Sequence, residues 1–401
     1  MVSVYVHIPF CRRKCIYCDF FSVGERLADW GAYTEALCRE LDARENERYK
    51  KFPSAPGSSG DTIYIGGGTP SLMPEREFRR LASRLLQFAE NPVEFTIEVN
   101  PDDVTEEKAR MWKSAGVNRV SMGVQSLIDS ELKFIGRRHT AAQAVEAYRI
   151  LRQHFSNISL DVMFGLPGQT PATLRQTLER IIAMNPEHLS AYSLMYEERT
   201  ALTRMRDSGS IVETDDTDTE KMFQMVSGML GDAGYCQYEI SNYYRRENGG
   251  PSEHNSRYWR GYPYIGIGPG AHSYDGERLR RANNPDINAY IKYWGGNFRE
   301  KEIETDVPWN VEILTDEELR EEYIMTRLRT REGISLTDYS QRFGVRAAHE
   351  LKKKGESWVK SNHLKLENAD ANEIPNHSTL KKLSLTKRGI LISDEIMVSL
   401  F

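Results

Sequence analysis

Along the first half of the chain, short β-branched and aromatic runs alternate with longer stretches whose apolar positions recur at helical spacing. Val2 to Ile8 reads as a buried strand and Asp29 to Lys51 as a helix. Pro53 to Gly60, rich in Ser, Gly and Pro, reads as a surface loop. A strand from Asp61 then runs straight into Gly66-Gly67-Gly68. Next come a helix over Glu75 to Ala89, a strand over Val93 to Val99, and a helix to Ala115. Thr105 is the N-cap of that helix, and Glu106 and Glu107 suit its positive end. Arg119 to Val124 is a strand ending at Gln125, Ala141 to His154 a helix, and Ile158 to Phe164 a strand. A turn at Gly165 to Gly168, a helix over Pro171 to Met184 and a strand over Leu189 to Leu194 complete the series. Six strands alternating with helices predict a parallel sheet with helical crossovers. Eight units closed into a barrel need about 250 residues. Six units within residues 1–194 fit an α/β fold of another kind, an open (β/α)6 partial TIM-type barrel. Ligands of such sheets bind at the carboxyl ends of the strands. The loop after the first strand, the glycine turn, Glu98, Gln125 and Asp161 all fall at or near those ends.

Beyond Met195 the alternation stops. Val212 to Glu220 is acidic and reads as a solvated connection, followed by an amphipathic helix to Gly234. Tyr238 to Tyr244 alternates like an edge strand. Two polar–aromatic stretches follow, Glu253 to Trp259 and Tyr264 to Ser273. Helical patterns return at Asp316 to Leu328, Leu336 to Phe343 and Ala347 to Lys354. Two short strands flank the polar loop Asn368 to Leu380, and a helix over Thr386 to Leu400 ends the chain. Helices followed by a hairpin predict a small winged-helix-like α+β domain. The expected organisation is a barrel over residues 1–200, an extension over 201–314 and the C-terminal domain over 315–401.

Composition narrows the class. Hydrophobic content of 39% and charged content of 28% suit a globular chain with a buried core. No apolar run approaches the ~20 residues that span a bilayer. The N-terminus lacks a signal-peptide pattern, and the first motif begins too early to leave room for a transit peptide. A reduced compartment, the cytoplasm, is the expected location. A net charge of -5 argues against nucleic acid as a partner, since neutralising phosphates requires clustered Lys and Arg. The winged-helix-like segment is itself near neutral, with 15 Lys and Arg against 14 Asp and Glu over residues 316–401.

Cys11, Cys15 and Cys18 stand at C-x3-C-x2-C spacing directly after the first strand. Thiolates so close can converge on one soft metal centre. Iron–sulfur clusters are held by cysteine thiolates, and a cubane normally takes four. No fourth cysteine is near, so one iron would stay open to a small molecule. Half a zinc site, or a redox pair with a bystander, are the alternatives; zinc would need a fourth ligand close by. Cys38 and Cys236 stand singly and read as small core residues. An odd total of five, with nothing marking secretion, speaks against a disulfide framework. The triple glycine removes side chains where a strand leaves the sheet, so backbone groups can approach a ligand. On residue types alone, His254 and Asn255 read as local turn bonding and Tyr258 and Trp259 as core.

The run Tyr5-Val6-His7-Ile8-Pro9-Phe10-Cys11, continuing through Cys15, Tyr17 and Cys18 to Asp19 and Phe20, resembles the radical S-adenosylmethionine (SAM) superfamily. The likeness is to the branch containing the oxygen-independent coproporphyrinogen III oxidases and the heme chaperones, and it covers nearly the whole chain. It implies a [4Fe-4S] cluster on Cys11, Cys15 and Cys18, with SAM chelating the open iron through its amino and carboxylate groups. It also implies that an electron from the cluster cleaves the sulfonium to a 5′-deoxyadenosyl radical. The branch's SAM-contacting positions fall on Tyr5, Tyr17, Gly67, Gly68, Thr69, Glu98, Gln125, Arg137 and Asp161, with Arg138 competing for the role of Arg137. The oxidases carry a further cysteine two residues after the third, and a longer segment before the motif. This chain has Phe20 there and ten residues ahead of Cys11. His254-Asn255-Ser256-Arg257-Tyr258-Trp259 instead matches the H-N-x-x-Y-W motif of the heme chaperones. The match implies heme held for an acceptor hemoprotein, with His254, Asn255, Tyr258 and Trp259 as heme contacts. His272 and His7 are rival iron ligands. The expected partners are heme, the acceptor, which could be membrane-associated, and an electron donor for the cluster. The cluster's expected role is to regulate heme transfer or oligomeric state. The runner-up is the oxidase reaction, decarboxylation of coproporphyrinogen III; a SAM-dependent nucleic-acid modifier comes third.

Overall fold

The computed structural model describes residues 1–45, 60–296, 307–368 and 381–401. Six parallel strands run in sequence order across the sheet: β1 (Ser3–Ile8), β2 (Thr62–Gly67), β3 (Glu94–Val99), β4 (Arg119–Gln125), β5 (Ile158–Phe164) and β6 (His188–Ser193). Their crossovers carry α1 (Trp30–Ala43), α2 (Glu75–Phe88), α3 (Glu106–Ser114), α4 (Ala141–Arg152) and α5 (Pro171–Met184). Successive strand residues point to opposite faces, and here the two faces differ in chemistry. Val4, Val6, Ile63, Ile65, Val120, Met122 and Leu160 pack with Leu37, Leu81 and Trp112 of the helices in one buried core. The positions between them are polar, and Tyr64, Glu98, Arg119, Ser121, Asp161 and Ser190 line an open cavity. An eight-stranded barrel fills its interior with packed apolar side chains; this open one keeps a polar lumen.

Three more strands extend the sheet to nine, in the order β9-β1-β2-β3-β4-β5-β6-β8-β7, where β7 is Tyr235–Gln237, β8 Asn242–Arg245 and β9 Ile265–Ile267. β9 pairs parallel with the free edge of β1, while β7 and β8 form an antiparallel hairpin on β6. Of the edge strand expected over Tyr238 to Tyr244, only the part from Asn242 is strand, and a separate strand, β7, ends just before Tyr238. The segment between β7 and β8 turns away because the Ile240 amide donates to the Arg329 carbonyl and its side chain packs on the C-terminal core. The acidic run before Gly234 is more than a connection. Asp215 caps α6 (Asp216–Asp232), and Asp216 and Asp218 occupy its first turn, where the helix dipole favours negative charge.

A short helix, α7 (Glu253–Trp259), closes the amino end of the barrel. Several of its bonds go to strand starts. The Glu94 carboxylate accepts from Ser252 Oγ at 2.9 Å and from the Glu253 and His254 amides at 2.8 and 3.1 Å. Arg257 donates to the Val2 carbonyl at 3.1 Å and to Ser3 Oγ at 2.8 Å.

The C-terminal unit is winged-helix-like, as expected. Helices α8 (Asp316–Leu328), α9 (Leu336–Phe343) and α10 (Val345–Lys360) pack with a three-stranded antiparallel sheet around Ile324, Leu328, Leu351 and Leu383. The expected last helix is broken into Lys387–Ile390 and Ser393–Leu400. The end of the helix expected to reach Lys51, the Pro53 to Gly60 loop up to residue 59 and the loop over 369–380 lie outside the described residues. Among the described residues, no helix is long and apolar enough to cross a membrane.

Candidate functional site at the barrel mouth

The cysteine loop leaves β1 at the carboxyl end of the barrel, where aromatic side chains anchor it. Phe10 meets Trp30 and Tyr33 with ring centroids 4.7 and 5.1 Å apart, and Tyr33 Oη donates to the His7 carbonyl at 2.6 Å. Cys11, Cys15 and Cys18 are each partly exposed and line one cavity of about 680 Å³, a volume typical of small-molecule sites. Burial pushes the Cys18 thiol up to about 11; the Phe20 backbone opposes this, and the neighbouring Cys15 and Cys11 add to it. Cys11 is raised as well, again chiefly by burial. Three thiols around one opening are a donor set that suits a cationic iron centre. Among the described residues, no three His, Cys, Asp or Glu side chains stand close enough to hold one metal ion. A mononuclear zinc site has no ligand set in this arrangement, whereas thiolates on a cubane bind separate irons and need not meet.

The glycine turn lies against the cysteine loop. Gly67 has φ of +111°, and a Cβ there would stand 2.7 Å from the His7 ring. At Gly68 a Cβ would stand 2.9 Å from the Pro9 carbonyl carbon and 3.0 Å from Cys11 Sγ. Thr69 Oγ1 donates to Cys11 Sγ at 3.4 Å and accepts from Asn100 Nδ2 at 3.3 Å. Asn100 Oδ1 accepts from Arg137 Nη2 at 2.7 Å, and Arg137 Nη1 reaches Cys15 Sγ at 3.9 Å. One hydrogen-bonded path thus links two of the three cysteines across the mouth. Arg138 takes no part in it, being paired with Asp102 and Asp103.

Two buried carboxyls face the same cavity. Glu98 accepts from Tyr64 Oη at 2.7 Å and from the Gly67 amide at 3.0 Å. Burial outweighs those bonds and, with Asp161 nearby, pushes its pKa up to about 7. Asp161 is pushed up to about 6 by burial, against hydrogen bonds from Ser190 and Ser121 and the charge of Arg119. Gln125 ends β4 at a bulge with φ of +69°, and its Oε1 accepts from Tyr192 Oη at 2.8 Å. A non-glycine residue held in that left-handed region costs about 1–3 kcal/mol, and such positions gather at functional sites.

Of the residues expected around SAM, Tyr17, Gly67, Gly68, Thr69, Glu98, Gln125, Arg137 and Asp161 line this one cavity. Tyr5 does not; its Oη bonds His7 Nδ1 at 2.9 Å and its ring lies 6.2 Å from that of Tyr64. Tyr64, Asn100 and Tyr192 also line the wall, and sequence reasoning passes over all three. Asn100 shares its strand end with Glu98, which was the one available clue.

The four residues expected at heme part company. His254 is 1% exposed, with Nδ1 bonded to Thr62 Oγ1 at 2.9 Å and Nε2 to Tyr258 Oη at 2.8 Å. Burial, aided by Arg257 and Arg119, pushes its pKa down to about 3, so the ring is neutral, and neither nitrogen is free. Asn255 lines the main cavity. Tyr258 and Trp259 line a separate hollow of about 220 Å³ with Tyr264, Tyr274 and Arg280. His7 is buried, with Nε2 on the Phe21 carbonyl at 2.9 Å, while His272 is exposed.

An open parallel barrel with a cysteine loop at its mouth and a winged-helix-like tail defines a radical SAM protein. The Radical SAM superfamily profile matches residues 5–181, and the HemN C-terminal domain profile matches residues 314–368. The chain belongs to the HemW family within that superfamily. It is 34% identical to the heme chaperone HemW of Bacillus subtilis (strain 168), over 86% of this chain and 87% of that protein. It is 31% identical to the heme chaperone HemW of Haemophilus influenzae over 94% and 95%. It is also 32% identical to the mitochondrial radical S-adenosyl methionine domain-containing protein 1 of Bos taurus over 84% and 75%. Among solved structures, coproporphyrinogen III oxidase (HemN) from Escherichia coli, described as a radical SAM enzyme, shares the fold. Its TM-score is 0.78 at 20% identity, over 100% of this chain and 89% of that one.

Proposed function

We propose that this protein is a heme chaperone: it binds heme and delivers it to an acceptor hemoprotein, under the control of a three-cysteine [4Fe-4S] cluster with exchangeable SAM. The observation that carries the reading is the likeness to a relative named as a heme chaperone over 86% of this chain and 87% of that one. The sequence adds support, since the position of the oxidases' further cysteine holds Phe20, 70% exposed at the mouth. When bound, the cluster supplies one electron to the SAM sulfonium. The chain's own residues bind and orient. Cys11, Cys15 and Cys18 are the thiolates that would hold the cluster. The Gly67–Thr69 turn, with Glu98 behind it, receives the amino group of the methionine moiety, and the Arg137 fork pairs with its carboxylate. Tyr17, Gln125 and Asp161 wall the remainder, and Tyr5 supports the turn through His7.

Heme belongs to the H-N-x-x-Y-W segment. Iron ligation by His254, which is 1% exposed, requires one of its two bonds, to Thr62 or to Tyr258, to break and the ring to be uncovered, so heme loading would be coupled to movement of α7. The setting is a reducing compartment, the cytoplasm, and the partners are an electron donor and a hemoprotein that could be membrane-associated.

The test uses anaerobically reconstituted protein with iron and sulfide counted. One portion receives heme and then an apo-hemoprotein; another receives coproporphyrinogen III, SAM and dithionite. Heme bound and passed on, with no protoporphyrinogen IX formed, is the expected result. Product formation at catalytic rates overturns the reading in favour of the oxidase.

A further inference from the structure

Arg119, the first residue of β4, carries a guanidinium that the SAM site leaves without a role. It is 2% exposed and lines the barrel cavity. The polar side chains around it close on one another. Thr62, His254 and Tyr258 form one hydrogen-bonded chain, with bonds of 2.9 and 2.8 Å. Ser159, His188 and Tyr238 form a second, again at 2.8 and 2.9 Å. Burial, with the charge of Arg119 nearby, keeps both imidazoles neutral.

Arg119 has no such closure. It makes one long hydrogen bond, from Nη1 to Thr96 Oγ1 at 3.5 Å, and no ion pair within 4.0 Å among the described residues. A guanidinium offers five donors, and a buried charge without a partner is costly. The lumen's two carboxyls feel its charge through space but make their hydrogen bonds elsewhere, Glu98 with Tyr64 and Gly67, and Asp161 with Ser121. Asn255 of α7 lines the same cavity, and among the described residues its side-chain amide makes no hydrogen bond, while its backbone amide donates to Ser252 Oγ.

We propose that the lumen beneath the SAM site is a carboxylate-binding subsite, with the Arg119 fork gripping both oxygens and the Asn255 amide donating alongside. The planar fork matches a carboxylate through two parallel bonds. Two sources share that chemistry, a small free acid and the propionate arm of a tetrapyrrole. The carboxylate of SAM is not one of them, because in the proposed site Arg137 takes it at the mouth.

The full chain, without cluster or SAM, is titrated calorimetrically with sodium propionate at fixed ionic strength, and by absorbance with heme and with heme dimethyl ester. Saturable propionate binding is expected, weakened at least tenfold by Arg119→Gln and several-fold by Asn255→Ala. Arg119→Lys falls between, since a point charge replaces the fork. If Arg119→Gln weakens heme but not its diester, the carboxylate is a tetrapyrrole propionate; if it weakens propionate alone, the ligand is a small acid. Thermal melts check folding, and Asn255→Ala, which strands no buried charge, carries the test if Arg119→Gln does not fold. The proposal is overturned if propionate does not saturate and heme and its diester bind alike. It is also overturned if the folded variants bind like the wild type. Neither the cluster nor heme delivery enters the measurement, so its failure leaves the chaperone reading standing.

Discussion

Glu98 is the side chain whose protonation the barrel alters most usefully. Its carboxyl titrates near 7 in the fold against 4.5 for an ordinary glutamate. A raised carboxyl favours the protonated folded state. The ionised group therefore exacts no penalty below about pH 4.5, and the penalty grows as pH rises through about 7. The apo protein should lose stability over that window, and Glu98→Gln should remove the loss, which urea denaturation at several pH values would check. An ammonium ligand needs the ionised form, so SAM affinity should rise between about pH 6 and 8. Glu98→Gln should flatten that profile and weaken binding by about 10- to 100-fold, the worth of a charged hydrogen bond of about 1.5–3 kcal/mol. Equilibrium dialysis on reconstituted protein measures both. Single residues were only partly legible in sequence. Glu98, Gln125 and Asp161 are legible because they lie at or near strand ends or match a motif. Tyr64 and Arg119 are not, because a polar residue within a strand declares no direction until its neighbours in the sheet are known. The alternation in Thr62-Ile63-Tyr64-Ile65 separates polar from aliphatic positions without saying which side faces the lumen.

At the scale of elements, two short pieces decide the geometry of the cavity. The glycine turn meets the cysteine loop so closely that Gly68→Ala would drive a Cβ against the Pro9 carbonyl carbon and Cys11 Sγ, at 2.9 and 3.0 Å. That variant should fold with a loss of about 1–3 kcal/mol and retain much less iron after reconstitution, as counted by colorimetric assay. The second piece is α7, whose amino end hangs on the Glu94 carboxylate through three bonds. Glu94→Ala strands those donors and should cost about 2–3 kcal/mol in chemical denaturation. The long crossover helices and the six barrel strands were readable from periodicity. The three-residue strands β7 and β9 were not, because their pairing is made by distant partners. β9 exists as a strand through its register with β1, Val4 opposite Ile265. Nothing in an Ile-Gly-Ile triplet predicts that.

Across the whole molecule, two motifs far apart in the chain address one lumen from opposite ends. The cysteine loop forms the carboxyl rim, and Asn255 of the H-N-x-x-Y-W segment reaches the same cavity from α7 at the amino end. Sequence alone revealed both motifs and the barrel between them. It did not reveal that they share a space, since that depends on Glu94, Thr62 and Val2 docking α7 under the strands. An event at the cysteines therefore has a physical route, through the polar lumen, to the segment proposed to bear on heme. Three thiolates holding a cubane would leave one iron open at the head of that lumen. Electron paramagnetic resonance of the reduced, anaerobically reconstituted protein, recorded with and without SAM, tests this most directly. A [4Fe-4S] signal that changes on adding SAM, and that is absent from Cys15→Ser, is the predicted result. A sample without a cubane signal, or one whose signal ignores both SAM and the loss of Cys15, would contradict it.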